Sequence, residues 1–213
     1  MVQLLNGVLD AAIQVLGDPD RGDEVAAARK QFDDRRGRVF EDEDLWEAWT
    51  NVFLEWCTLE RKPTVAGQML AVESDPDRAA ALRAWLRSMR TLVEVLRIEQ
   101  GRVEALDLLG GAQFWVSEQR KLPAVTRGDV AEVRLVGFDG AVRFGRTFYF
   151  HPTGTRDAIV RRIDARRAAG DSRDDILDHF ARLRLRCERY SHMTPARIYA
   201  STDDRVPHVG ERA

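Results

Sequence analysis

The chain has 213 residues, 44% hydrophobic and 32% charged, a balance that fits a folded globular protein and excludes an intrinsically disordered one. Formal net charge is −2, yet residues 1–60 hold 14 acidic against 6 basic side chains and residues 61–213 hold 21 against 27. No stretch approaches the ~20 consecutive apolar residues of a membrane span, and the N-terminal MVQLLNGVLDAAIQVLG lacks the basic start and cleavage site of a signal peptide.

The two cysteines, Cys57 and Cys187, lie 130 positions apart in no metal-binding spacing, so a reduced cytoplasmic protein with buried thiols is expected. Only Lys30, Lys62 and Lys121 of the 33 basic residues are lysine. A GC-rich genome produces such an arginine excess, which discounts arginine clusters as functional signals.

Leu5, Val8, Leu9, Ala12, Ile13 and Leu16 recur at helical spacing and predict a first helix over 3–16, ended by Gly17-Asp18-Pro19. Asp23 caps a second helix running to Arg35-Arg36-Gly37. The stretch from Phe40 to Lys62 then puts Leu45, Trp49, Val52, Phe53, Trp56 and Leu59 on one helical face, with Trp46 at its edge. Asp44, Glu47, Asn51 and Glu55 take the opposite face, acidic Glu41–Asp44 suit the positive end of the helix dipole, and Pro63 stops the helix. A buried aromatic side chain removes roughly 150–250 Å² from water, so the tryptophan face is expected at the centre of the core.

The residues RKQFDDRRGRVFEDED followed by FLEWCTLERKP resemble a pattern in uncharacterised proteobacterial proteins: a short helix, a glycine turn, an acidic patch, then an aromatic helix. The chain departs from that pattern at Cys57, where another aromatic residue is expected. The resemblance implies architecture and no activity. Some relatives adjoin a cysteine-rich zinc motif, which nothing in this chain matches.

Residues 64–72 allow a short helix, and Ser74-Asp75-Pro76 opens a longer one ending near Arg90, with Leu82, Trp85, Leu86 and Met89 inward. Strands are predicted over 92–99, 102–109, 112–119, 130–138 and 141–150, the last two joined at Asp139-Gly140. Two helices follow, over 155–169 and from the capping box Ser172/Asp175 to Tyr190, and the chain from Pro195 is expected to be an extended tail fraying after Asp204. The fold class is therefore α+β: a helical part over 1–90, five antiparallel strands over 91–152 forming an SH3-like or OB-like small barrel or a curled sheet, and closing helices over 153–213, packed as one unit.

Two sets of residues stand out as candidate contacts. Arg182, Arg186 and Arg189 share a face of the last long helix, and Arg161 and Arg162 lie on the helix before it. Together with Trp115, which strand alternation turns away from Phe114 and Val116, they could bind the phosphates and bases of RNA or single-stranded DNA. Against this, Asp178–Arg182 and Arg184–Glu188 have the spacing of ordinary helix-surface ion pairs. The second set is the acidic face Asp44, Glu47 and Glu55, suited to a basic protein partner or a second copy.

Asp175 and His179, at i and i+4, lack the third ligand that a metal site needs, and His179 reads as partly exposed beside Phe180. His151, His192 and His208 sit outside any motif, Cys187 lies on an apolar stripe, and no phosphate loop or nucleophile elbow is present. No catalytic, cofactor or metal residue is assigned. The sequence points first to a non-enzymatic cytoplasmic protein-interaction or scaffold module, second to a nucleic-acid binder, and last to an enzyme whose site is assembled from distant residues.

Overall fold

The computed structural model of the chain describes residues 2–120 and 125–201. The first helix, α1 (Val2–Leu16), buries Leu5, Val8, Leu9, Ala12 and Leu16, as the spacing requires. Asp18 caps a single 3₁₀ turn, and α2 (Gly22–Arg36) follows. It ends at Gly37, whose φ of 94° is disfavoured for any side chain with a Cβ.

The aromatic helix is shorter than the apolar spacing predicts: α3 spans Trp46–Leu59, and Phe40–Leu45 form turns instead of its first residues. Glu43 accounts for this. Its carboxylate accepts the Phe40 backbone N–H at 2.8 Å and the guanidinium of Arg189, holding the acidic segment in a tight turn against the last long helix. The inward stripe is as expected, with Leu45, Trp49, Val52, Phe53, Trp56 and Leu59 all buried. Phe32 of α2 meets Trp49, Phe53 and Trp56 edge-on or tilted, and Trp49 packs against Tyr149 of the sheet. Next come α4 (Val65–Val72), capped by Thr64, and α5 (Pro76–Leu86), capped by Asp75.

Five strands follow: β1 (Met89–Glu99), β2 (Arg102–Asp107), β3 (Gln113–Ser117), β4 (Val130–Phe138) and β5 (Ala141–Phe150). The helix before β1 stops earlier than its period allows, and the strand begins at Met89 because residues 89–94 pair with β4. Pairing runs β1-β2-β3-β5-β4 and returns to β1, closing the sheet on itself. The sheet is mixed, not wholly antiparallel, because β3 and β5 run parallel at Val116↔Val142 and Ser117↔Arg143. A closed ring with an odd number of strands cannot alternate direction all the way round, so five strands need a parallel seam. Asp139 and Gly140, both at positive φ, make the two-residue turn between β4 and β5. Val93, Val95, Val103, Ala105, Val116, Ala131, Val133, Leu135 and Phe144 fill the interior.

The chain then forms α6 (Arg156–Ala168) and α7 (Arg173–Arg189), the latter opened by the Ser172/Asp175 capping box. The expected extended tail is corrected at its start: Thr194 caps α8 (Pro195–Ala200), whose Ile198 and Tyr199 are buried against α6 and α7. Fraying after Asp204 concerns positions outside the described residues. Among the described residues, the main helix contacts on the barrel are α3 on β5, α5 on β4 and α7 on β1.

Candidate functional site

Glu55, expected on the exposed acidic face, is only 3% exposed. Arg134 of β4 explains the difference, since its Nε donates to Glu55 at 2.9 Å. The pair is the end of a buried chain of alternating charge between the helices and the barrel. Arg134 also pairs with Glu60, Glu60 with Arg90, Arg90 with Glu132, Glu132 with Arg36, and Arg36 with Asp178. Burial alone would raise the Glu60 carboxyl, but Arg90 and Arg134 overcome it and bring the group down to about 2. Burial likewise opposes ionisation of Glu132, and Arg36 and Arg90 still hold its carboxyl below the usual range. Gly145 makes room for this chain, since a Cβ there would lie 3.0 Å from that of Arg134.

The C-terminal arginines are largely occupied within the fold. Arg182 donates to the Arg35 carbonyl, Arg189 pairs with Glu43 and donates to the Arg38 carbonyl, and Arg186 is buried with its guanidinium over Tyr190. Arg162 donates to the carbonyls of Tyr199 and Ser201, and Arg161 is exposed on α6. Asp178, expected to pair with Arg182, accepts instead from Arg35 and Arg36, whereas the Arg184–Glu188 pair forms as its spacing predicts. The structure does not bring these arginines together with Trp115, which sits against Arg97 and Arg102.

Where α2, residues 37–42 and α7 meet lies an open groove of about 1430 Å³. Val25, Val39, Phe40, Trp46 and Phe53 supply its apolar lining. Trp46 is thus the one tryptophan of α3 at an open surface, while Trp49 and Trp56 are core. Arg29 stacks over Trp46 and Phe53 and pairs with Asp33; burial raises the Asp33 carboxyl although Arg29 pulls the other way. Arg38 stacks over Phe40 at 4.7 Å. Glu41 and Asp42 are exposed at the groove, and exposed Asp44 and Glu47 continue the acidic surface beyond it. Two members of the expected acidic face are therefore on the surface, and Glu41 and Asp42 take the place of Glu55. The signal for them was the FEDED run itself, which reads as a helix start only if Glu43 is free.

A second surface is the outside of β2 and β3. Val103 and Val116 point into the barrel, so alternation turns Arg102, Glu104, Trp115 and Ser117 outward, with Arg102 opposite Ser117 and Glu104 opposite Trp115. The Arg102 guanidinium stacks 4.1 Å from the Trp115 ring and donates to Glu99, and Arg97 pairs with Glu99 and Glu104. Only the register between β2 and β3 reveals these neighbours.

Among the described residues, the histidines and cysteines of the interior lie away from the groove. His179 is buried at 1% exposure, a correction to the partly exposed position expected for it, because α7 turns it under its neighbours beside Phe180. His151 is buried too, its Nδ1 lying 2.5 Å from the Tyr199 hydroxyl, and burial lowers its pKa to about 3. Desolvation pushes the Cys57 thiol up to about 12 and that of Cys187 to about 11, away from nucleophilic character. His192 is exposed beside Tyr190, and His208 lies outside the described residues. Among the described residues, no three His, Cys, Asp or Glu side chains are placed to hold a metal ion, and no helix is long and apolar enough to cross a membrane. No family model, curated protein or solved structure matches the chain.

Proposed function

We propose that the protein is a non-enzymatic interaction module of the cytoplasm whose groove seats a basic segment of a protein partner. One observation carries this reading: an apolar groove floor containing Trp46 and Phe40 is bordered by exposed Glu41 and Asp42 and continued by Asp44 and Glu47. The cations that line the groove are engaged within the fold: Arg29 pairs with Asp33, Lys30 with Asp34 and Arg189 with Glu43, Arg182 donates to the Arg35 carbonyl, and Arg38 lies over Phe40. An apolar floor supplies contact area, and the acidic side of the rim supplies orientation and a salt-dependent encounter rate. At about 1430 Å³ the groove exceeds the usual ~300–1,000 Å³ of a small-molecule site and suits a stretch of polypeptide. Supporting the finer architecture, the strand order β1-β2-β3-β5-β4 with a parallel β3–β5 seam favours the OB-like over the SH3-like kind of small barrel.

Native pull-down with and without nuclease, repeated with Glu41→Lys/Asp42→Lys, tests the reading. A specific protein should be retained after nuclease treatment, elute at moderate salt and be lost from the charge-reversed variant. Capture that vanishes with nuclease, or that the double reversal leaves unchanged, would remove the groove from consideration.

A further inference from the structure

We propose that the outer face of β2 and β3 binds single-stranded nucleic acid, with a base stacked on Trp115 and phosphates held by Arg97, Arg102 and Arg127. Among the described residues, the main helix contacts are on β1, β4 and β5, whereas the main contacts of β2 and β3 are with other strands, which leaves their outer face toward solvent. On it stands an aromatic ring turned outward by strand alternation, with a planar guanidinium already stacked on it at 4.1 Å. A nucleobase is the other planar group that fits such a position, and every base has a face to offer.

The charges beside the ring suit a phosphate backbone. Arg102 donates from Nε and Nη2 to a single oxygen of Glu99, leaving its remaining N–H groups to point elsewhere. Arg143 of β5, across the parallel seam, donates to Ser117 at 3.3 Å. The β1 bulge between Val95 and Arg97 brings Arg97 opposite Glu104 and opens a cavity of about 400 Å³ lined by Leu96, Arg97, Ile98, Glu104 and Arg127. Ile98, opposite Val103 in the register, is 43% exposed at the end of the strand and gives that cavity an apolar wall. Four arginines on this surface outnumber Glu99 and Glu104, giving a net positive field with both carboxylates held in ion pairs. Glu104 and Gln113, hydrogen-bonded to each other at 2.7 Å, can exchange that bond for the amino and carbonyl groups of a base edge.

A duplex hides its base faces, so stacking predicts preference for single strands. Contacts to three or four phosphates predict a slope of log K against log salt of roughly −2 to −3. The test is fluorescence anisotropy of the full chain with labelled 12-nucleotide dT and U oligomers at low salt, with intrinsic tryptophan quenching read in parallel. Trp115→Ala should weaken binding about tenfold or more, Trp115→Phe should retain most of it, and Arg102→Glu should abolish it. If Trp115→Ala fails to fold, Arg102→Glu, on an exposed side chain, and quenching of the wild type decide. Absence of binding at low salt, equal affinity for a duplex, or competition by polyglutamate as effective as by oligonucleotide would overturn the proposal, the last in favour of an acidic protein segment. Glu41→Lys/Asp42→Lys should bind the oligomers like wild type, which separates failure here from failure of the groove.

Discussion

The molecule uses arginine and glutamate in two places to opposite ends. Between the helices and the barrel, Arg36, Arg90 and Arg134 alternate with buried Asp178, Glu132 and Glu55 and with Glu60, whose side chain is one-quarter exposed. On the outer face of β2 and β3, Arg97 and Arg102, each more than half exposed, pair with Glu99 and Glu104. Distance alone does not separate the two sets; desolvation does. A buried ion must keep its partner or carry an uncompensated charge, whereas an exposed one exchanges partners at little cost. The first set fixes how the helices sit on the barrel, and the second can be lent to a ligand.

The largest expected effect follows from breaking the buried set at its middle. Arg36→Ala leaves buried Glu132 with Arg90 alone and Asp178 with Arg35 alone, and should cost roughly 3–5 kcal/mol, read as a lower urea midpoint with an unchanged slope. Replacing a terminal pair together, Glu55→Leu with Arg134→Met, should recover most of what Arg134→Met alone loses, because no charge is then left buried without a partner. A double variant no more stable than the single one would mean that the chain acts through packing and not through charge pairing.

A smaller effect comes through His151, which borders this chain through Glu132. Its folded pKa of about 3 lies below the 6.5 of the unfolded residue, so below pH 6.5 the unfolded chain takes up a proton that the native one refuses. The His151 contribution is therefore present in full above pH 6.5 and is lost as pH falls towards 3, at up to ~1.4 kcal/mol per pH unit. Glu60, depressed to about 2, adds a loss of the same sign that begins only below about 4.5. Urea midpoints at pH 7 and pH 5 should differ less in His151→Gln than in the wild type. Equal differences would place the acid sensitivity in another group.

The same contrast explains which parts of the molecule were legible in the sequence. Apolar spacing located α1, the buried stripe of α3 and the inward face of α7 because burying such a stripe is a local requirement. Asp139-Gly140 located the β4–β5 turn because its two residues must adopt positive φ. Charged positions were read poorly where their partners lie far along the chain. Glu55 has the pattern of a solvent-facing residue, and only Arg134, 79 positions away, makes its burial tolerable. Glu43 similarly delays the start of its helix through Arg189, 146 positions away. Closure of the sheet, and with it the parallel seam, was not legible either, because no local signal states which strand meets the first. Alternation alone placed Trp115 and Phe114 on opposite faces; which of them is outward, and that the neighbours of Trp115 are Arg97 and Arg102 and not the arginines of α6 and α7, follows from strand register.

The smallest expected effect sharpens the comparison most. Glu99→Gln removes the carboxylate that holds Arg102, on a side chain in free contact with water. Exposed pairs of this kind contribute little to folding, so the urea midpoint should stay where it is. If the outer face is a binding surface, the freed guanidinium should take a phosphate more readily, and oligonucleotide affinity should rise while its salt dependence steepens. If the pair instead fixes the β1–β2 turn, the midpoint should fall and affinity should not gain. A single substitution thus separates an arginine held for structure from one held for a ligand, the distinction that burial draws between the two halves of the molecule's ion pairs.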